Sequence, residues 1–161
     1  VRLGRRVQEN LRKAAGYLLS VHAPIATLAV APAVLGWPVL LLPIHVVFLE
    51  LVMDPTCSIV FELEPLDPRV MREPPRASAT RLFSNALILR AVGRGALAAL
   101  GVLAVLALSR AEGAGVELQR AECFLALVVT NVGLLLAAHR GRWHKALAIA
   151  LVATLGALAL T

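Results

Sequence analysis

Five apolar stretches, at about residues 14–35, 39–61, 83–109, 121–138 and 146–161, alternate with short charged connections in this 161-residue chain. A bilayer core about 30 Å thick takes roughly 20 helical residues to cross, and each stretch approaches or exceeds that length, the last being the shortest. Lipid offers no partner to backbone N–H and C=O groups, so such segments must close their hydrogen bonds internally as helices. The expected fold is therefore an all-α membrane protein, a polytopic helical bundle of about five transmembrane helices. Composition agrees, since 59% of the residues are hydrophobic and 16% charged, against an apolar share of roughly 45–50% in soluble domains. Mean hydropathy is +0.80.

A net charge of +6 is compatible with nucleic-acid binding, but the basic residues gather at the edges of apolar segments and are not interleaved with aromatics on one face, so no nucleic-acid partner is expected. They report topology. The turn Gly36-Trp37-Pro38 is short enough to make the first two spans an antiparallel hairpin, with Trp37 at one interface. The amino-terminal tail, the loop Glu62 to Arg81 with Arg90 and Arg94, and the segment from His139 hold fourteen of the sixteen Lys and Arg, leaving Arg110 and Arg120 for the other side. By the positive-inside rule the amino terminus is cytoplasmic. The chain opens on Val1, and its five spans end at Thr161 with no polar flank, which reads as a piece of something longer, incomplete at both ends. Cys57 and Cys123 lack any C-x-x-C spacing and are read as small core residues.

Within the second stretch stand two carboxylates, Glu50 and Asp54, followed by Pro55. A carboxylate at bilayer depth is costly and is by default a functional residue. Four residues apart, the two share a helical face, where both can reach one cation. Pro55 has no N–H to donate and is expected to break the helix, freeing carbonyl oxygens beside the acids. A structural hydrogen-bonded cluster of these acids with His22 or Asn131 is the blander alternative. His45 is assigned to packing, Glu62, Glu64 and Asp67 to solvent, and Tyr17 and Trp143 to interfacial anchoring. Gly93, Gly95, Ala98, Ala99 and Gly101 would permit close helix approach in the third span, and Arg90 and Arg94 are expected to snorkel to the cytoplasmic headgroups.

Several motifs in order carry a resemblance. Gly4-Arg5-Arg6-Val7-Gln8-Glu9-Asn10-Leu11-Arg12-Lys13 leads into the first span, Leu42-Pro43-Ile44 runs on to Asp54, and Glu64-Pro65 precedes Met71-Arg72-Glu73-Pro74-Pro75-Arg76. Arg120-Ala121-Glu122-Cys123-Phe124 continues to Asn131. Together these resemble the membrane half of P-type cation-transporting ATPases, from the fifth transmembrane helix onward. The resemblance implies that residues 1–13 end a cytoplasmic stalk and residues 14–161 form the carboxyl-terminal transmembrane domain. It also implies an integral protein of a bacterial plasma membrane.

Position by position, the resemblance places Glu50, Met53 and Asp54 where the family's calcium pumps carry Asn, Thr and Asp. Asp54 keeps its ligand type, which makes Asp54 with Glu50 the expected metal-binding pair. His22 and Ile25 stand where Asn and Glu are frequent, so an acid of the two-calcium site is missing. Asn131 falls where pumps carry Glu or Gln and can offer a carbonyl oxygen; helix breaks at Pro55 and Pro24 would add backbone carbonyls. Calcium, magnesium and manganese are the expected cargo ions. Three roles stay open for His22: ligand to a softer metal, proton-carrying counter-ion, or hydrogen-bonding partner within the bundle. Met53 and Cys57 extend the softer-metal alternative, which ranks below a hard cation.

The family's phosphorylation motif Asp-Lys-Thr-Gly-Thr, its Thr-Gly-Glu loop and its Gly-Asp-Gly hinge do not occur in the sequence. No catalytic residue is expected here, and this segment alone should neither bind ATP nor form a phosphoenzyme. ATP and Mg2+ would belong to a full-length protein. The implied partners are the lipid bilayer, the amino-terminal membrane helices, and the cytoplasmic phosphorylation, nucleotide and actuator domains. The alternative is a small multispanning scaffold or secondary carrier without ATPase activity.

Overall fold

The computed structural model describes residues 2–53, 61 and 84–138. Among them lie four helices, α1 (Arg2–Leu35), α2 (Pro43–Phe48), α3 (Asn85–Ala111) and α4 (Val116–Ala138), and no strand. From α2 the chain continues as a π turn over Leu49–Met53. Helices α1, α3 and α4 are each long and apolar enough to cross a membrane. The fold is thus all-helical with three such helices among the described residues. The stretch 146–161, the motifs at 64–76, and Trp143 lie outside them.

Helix α1 has 34 residues, about 51 Å at 1.5 Å per residue, so it exceeds a bilayer core of about 30 Å. The charged segment before residue 14 and the first apolar stretch are one helix, with Lys13 and Glu9 paired at 3.1 Å on its charged part. The break expected at Pro24 is not there: both Pro24 and Pro32 lie inside continuous helix. Pro24 nevertheless has no N–H for the carbonyl of Ser20. Three side chains bond back to carbonyls one turn earlier, Ser20 to Gly16 at 2.8 Å, His22 to Leu18 at 2.8 Å and Thr27 to Ala23 at 2.8 Å. Polar groups in an apolar helix are satisfied locally in this way.

At its carboxyl end α1 closes on Gly36, whose φ of +65° suits glycine, while the Trp37 amide donates to the Pro32 carbonyl at 2.9 Å. The chain then stays non-helical to Leu42, so the second stretch turns helical at Pro43 and not at 39. Proline disfavours helical backbone in the residue before it, and Leu42 is extended (φ −77°, ψ 157°). Its amide donates to His45 Nδ1 at 3.3 Å, and the His45 ring stacks on Phe124 at 4.6 Å between centroids. Both basic residues assigned to this end hold the connection: Arg110 lies 4.4 Å over the Trp37 ring, and Arg120 donates from Nε to the Val39 carbonyl at 2.8 Å.

Helix α4 begins at Val116, five residues before the expected 121. The α3–α4 turn is closed by Gly113 (φ +74°) and the Ala114 amide bonding to the Ser109 carbonyl. Glu117, Gln119 and Arg120 therefore form the polar first turns of a helix that overhangs its apolar part. Arg120 also pairs with Glu117 at 2.6 Å. At the start of α3, Ser84 accepts from the Leu87 amide at 3.3 Å, capping the helix.

Helix α1 packs chiefly on α3. The α3 residues that turn inward are Ala91, Gly95, Ala98, Ala99, Val102, Leu106 and Ser109. A Cβ at Gly95 would stand 2.7 Å from both Ala23 Cβ and the Ser20 carbonyl oxygen, whereas one at Gly93 or Gly101 would meet nothing within 4 Å. The close approach is thus specific to Gly95, and the small residues at 93 and 101 have no part in it. The Ser20 hydroxyl lies 3.0 Å from the Ala91 carbonyl as well as bonding Gly16, tying the two helices together.

Two apolar clusters fill the interior. One joins Leu28, Leu40, Leu41 and Leu49 to Val102, Leu106, Cys123, Phe124, Leu127 and Val128; the other joins Tyr17, Val21, Phe61 and Leu135. Tyr17, expected at the interface, is only 3% exposed and packs on Phe61 with ring centroids 5.5 Å apart. It is a core residue, because its position one turn before Val21 places it on the buried face of α1.

Candidate functional site

Two residues lie where the clusters meet, one apolar and one polar. Ile25 packs against both clusters. Asn131 stands one helical turn from Leu127 in one cluster and one turn from Leu135 in the other, and it is wholly buried. A fully enclosed amide in an apolar helix is costly unless it has a task or a partner. Ile25 occupies the position where the family resemblance would place an acid, and there it joins apolar residues of both clusters.

On another side of α1 stands His22. At about 100° per residue, its side chain is turned about 160° from that of Ser20 and about 100° from that of Ala23, the two that meet α3. The His22 Nε2 atom lies 3.6 Å from Glu50 Oε1, with about half of each side chain exposed. His22 and Glu50, both expected at the site, therefore face each other, one from α1 and the other from the π turn after α2. Glu50 sits within the π turn Leu49–Met53, a widened backbone that recurs at functional positions in helices. Leu49, beside it, is buried in the first cluster and fixes the turn against the core.

The hydrogen bond to Leu18 sets the chemistry of the imidazole. A carbonyl oxygen only accepts, so the 2.8 Å contact at Nδ1 requires Nδ1 to carry the proton. In the neutral ring Nε2 then presents a lone pair to the Glu50 carboxylate. Two acceptors face one another, and a proton or a cation between them is what makes the arrangement favourable.

Asp54, Pro55 and Cys57 lie outside the described residues, as does the side chain of Met53. Pro24 is helical, and the Ser20 carbonyl it leaves without an amide abuts Gly95, so it serves the α1–α3 contact and not the His22–Glu50 face. His45 caps α2 and stacks on Phe124, a packing position. Among the described residues no group of three His, Cys, Asp or Glu converges. In the sequence Glu122 carries no assigned role. Glu122, one residue before buried Cys123, has its Oε2 shielded and without a hydrogen-bond partner among the described residues. It lies nine residues, about 13 Å along the helix, from Asn131, and its signal was an acid inside the apolar stretch expected at 121–138.

Three helices long and apolar enough to span a membrane, with a buried amide and a His–Glu pair between α1 and the π turn, are the features of an integral membrane protein. Residues 38–161 match the family described as cation transporting ATPase, C-terminus, and the chain belongs to that family. Calcium-transporting ATPase 1 of Bacillus cereus is 36% identical over 85 residues, 52% of this chain and 10% of that protein. Calcium-transporting ATPase 1 of Lactococcus lactis is 28% identical over 131 residues, 81% of this chain and 15% of its own length. The calcium-transporting ATPase of Bacillus subtilis is 29% identical over 107 residues, covering 66% of this chain and 12% of that protein. The chain therefore corresponds to a small part of the length of these relatives, within the membrane half of a P-type cation ATPase.

Proposed function

We propose that this chain is the ion-binding transmembrane portion of a P-type ATPase that pumps a divalent cation across a bacterial plasma membrane. The amino terminus is cytoplasmic, residues 1–13 end the stalk, and ATP hydrolysis is carried out by phosphorylation, nucleotide and actuator domains outside this segment. Calcium is the first candidate, from the names of the relatives, with magnesium and manganese beside it. The observation that carries the reading is the His22–Glu50 pair, two ion-competent side chains from separate helices facing each other across 3.6 Å in a chain of this family.

Asp54 and Glu50 supply the charge that holds the ion, Asn131 adds an amide oxygen from α4, and His22 adds an imidazole from α1. Oxygen donors of this kind suit a hard divalent cation. Pro55 contributes by lacking an N–H, which leaves carbonyl oxygen available beside the acids. Phosphorylation elsewhere would move α1 and thereby change the separation of its donors from those of α2.

The test is cation-stimulated ATPase activity of the full-length protein in membrane vesicles, with calcium, magnesium and manganese varied in turn. Asp54→Asn is expected to raise the half-activating cation concentration by more than about 100-fold, since even supporting residues of a metal site are worth about 10–100-fold. Unchanged ion dependence in that variant would remove Asp54 from the site.

A further inference from the structure

Helix α2 has only six residues, and so short a helix closes few hydrogen bonds of its own and depends on what it packs against. The stretch that contains it meets α4 in three successive turns. Ahead of α2, the Val39 carbonyl accepts from Arg120 Nε at 2.8 Å. One turn further along α4, the Phe124 ring stacks on His45 with centroids 4.6 Å apart and meets Phe48 at 5.5 Å and 74°, both within the range of favourable ring pairs. In the next turn, Leu127 and Val128 share a buried cluster with Leu40, Leu41 and Leu49. Residues four and then three or four apart lie on one face of a helix, so this is a single side of α4. Helix α1 holds the same stretch more lightly. It supplies one residue, Leu28, to that cluster of ten buried residues, against four from α4, and its His22 faces Glu50 with about half of each side chain exposed.

We infer that Arg120 and Phe124 are positioning residues: through the Val39 carbonyl and the rings of His45 and Phe48 they seat α2 and its π turn on α4, so that Glu50 keeps its place against α4 when α1 moves. The inference rests on the reading of Glu50 as a cation ligand and adds to it what holds that ligand. The bond from Arg120 is charge-assisted and fixes the backbone ahead of α2. The Phe124 ring then sets the roll of α2, because His45 and Phe48 are three residues apart and turn to the same side. Roll and height together decide where the π turn, which follows Phe48 directly, presents Glu50. Arg110, 4.4 Å over the Trp37 ring, fastens the same connection from α3. The hairpin of α3 and α4 is therefore the seat of the second stretch, and the non-helical connection before Pro43 is the only covalent path by which α1 can pull on it.

The experiment uses the full-length protein in proteoliposomes, with Ca2+, Mg2+ and Mn2+ as the stimulating ions. Arg120→Met keeps an apolar stem and removes the donor to Val39; Phe124→Leu keeps an apolar side chain and removes the ring. In each, amide deuterium uptake over residues 37–48 should quicken at least about threefold, the loss of one such contact read through local opening. Uptake over residues 17–28 of α1 should change by less than about twofold, since that segment opens separately. The half-activating concentration of the stimulating ion should rise about fivefold or more, with the maximal rate of ATP hydrolysis within about twofold of the parent, a split that general loss of stability does not give. Glu117→Gln removes the exposed partner of Arg120 but not the bond to Val39, and both readouts should stay within about twofold. Unchanged uptake over 37–48, equal quickening over 17–28, an unmoved half-activating concentration, or a shift in Glu117→Gln as large as in Arg120→Met overturns the inference and leaves the cation-pump reading standing. Stimulation of the wild type by none of the ions overturns the pump reading and the role of Glu50 with it. Should Arg120→Met fail to fold, Arg110→Ala, which removes only the cation over the Trp37 ring, takes its place with the same expected directions.

Discussion

Two faces of α1 carry opposite designs. Toward α3, Ser20 and Ala23 meet Ala91 and Gly95 so closely that not even a methyl group fits at 95, and the Ser20 hydroxyl bridges to the Ala91 carbonyl. Toward the π turn, His22 reaches Glu50 across 3.6 Å with half of each side chain uncovered. In a membrane, where lipid tails are as apolar as leucine, helices associate through close packing and interhelical hydrogen bonds, and the first face uses both. Among the described residues the second face shows neither, and its two polar side chains stand 3.6 Å apart. One side of the helix is closely packed, the other half open.

Substitutions that exchange these properties test the contrast. The largest effect is expected from Gly95→Leu, which drives a side chain into Ala23 and the Ser20 carbonyl. It should cost about 3 kcal/mol or more, read as loss of a cooperative thermal transition in detergent. Gly101→Ala, made where nothing lies within 4 Å, serves as its control and should stay within about 0.5 kcal/mol of the parent. Ser20→Ala removes the bridge but not the packing, and a loss of about 0.6 kcal/mol is expected, the usual size of an interhelical hydrogen bond in a membrane. Smallest is Glu50→Gln, which should change thermal stability by less than about 0.5 kcal/mol because a half-exposed pair contributes little to folding. If Glu50→Gln proved as damaging to stability as Ser20→Ala, the two faces would not differ in kind.

The helices were legible because length and apolarity are properties of single segments. α1, α3 and α4 follow from them, and so does the turn at Gly36. Boundaries were misplaced wherever polar residues belong to a helix, as with Glu117 and Arg120, or where a proline delays one, as with Pro43. The close contact was legible only as a tendency. Five small residues in α3 were candidates, and the register of one helix against another decides that Gly95 touches α1 while Gly93 and Gly101 do not. His22 and Glu50 were each marked by being polar in an apolar run, but their mutual facing depends on the packing of α1 against the π turn. The tautomer of His22 came from a bond to its own helix, which no spacing rule announces. Asn131 is wholly enclosed between the two clusters, a depth its sequence neighbours alone did not fix.

The tight spot at Gly95 has a mechanical consequence. It grips α1 at Ser20 and Ala23, on either side of His22 along the axis, and so acts as a fulcrum for a rod about 51 Å long. Tilting the rod by 5° about that point displaces its amino-terminal end by roughly 2–3 Å but leaves His22 nearly still, because His22 lies at the pivot. Twisting the same rod by 30° about its own axis carries a side chain 5–6 Å from that axis through about 3 Å, enough to part the imidazole from Glu50. Degree for degree, the grip at Gly95 passes to the paired side chains only about a fifth of the displacement that a tilt produces at the far end of α1.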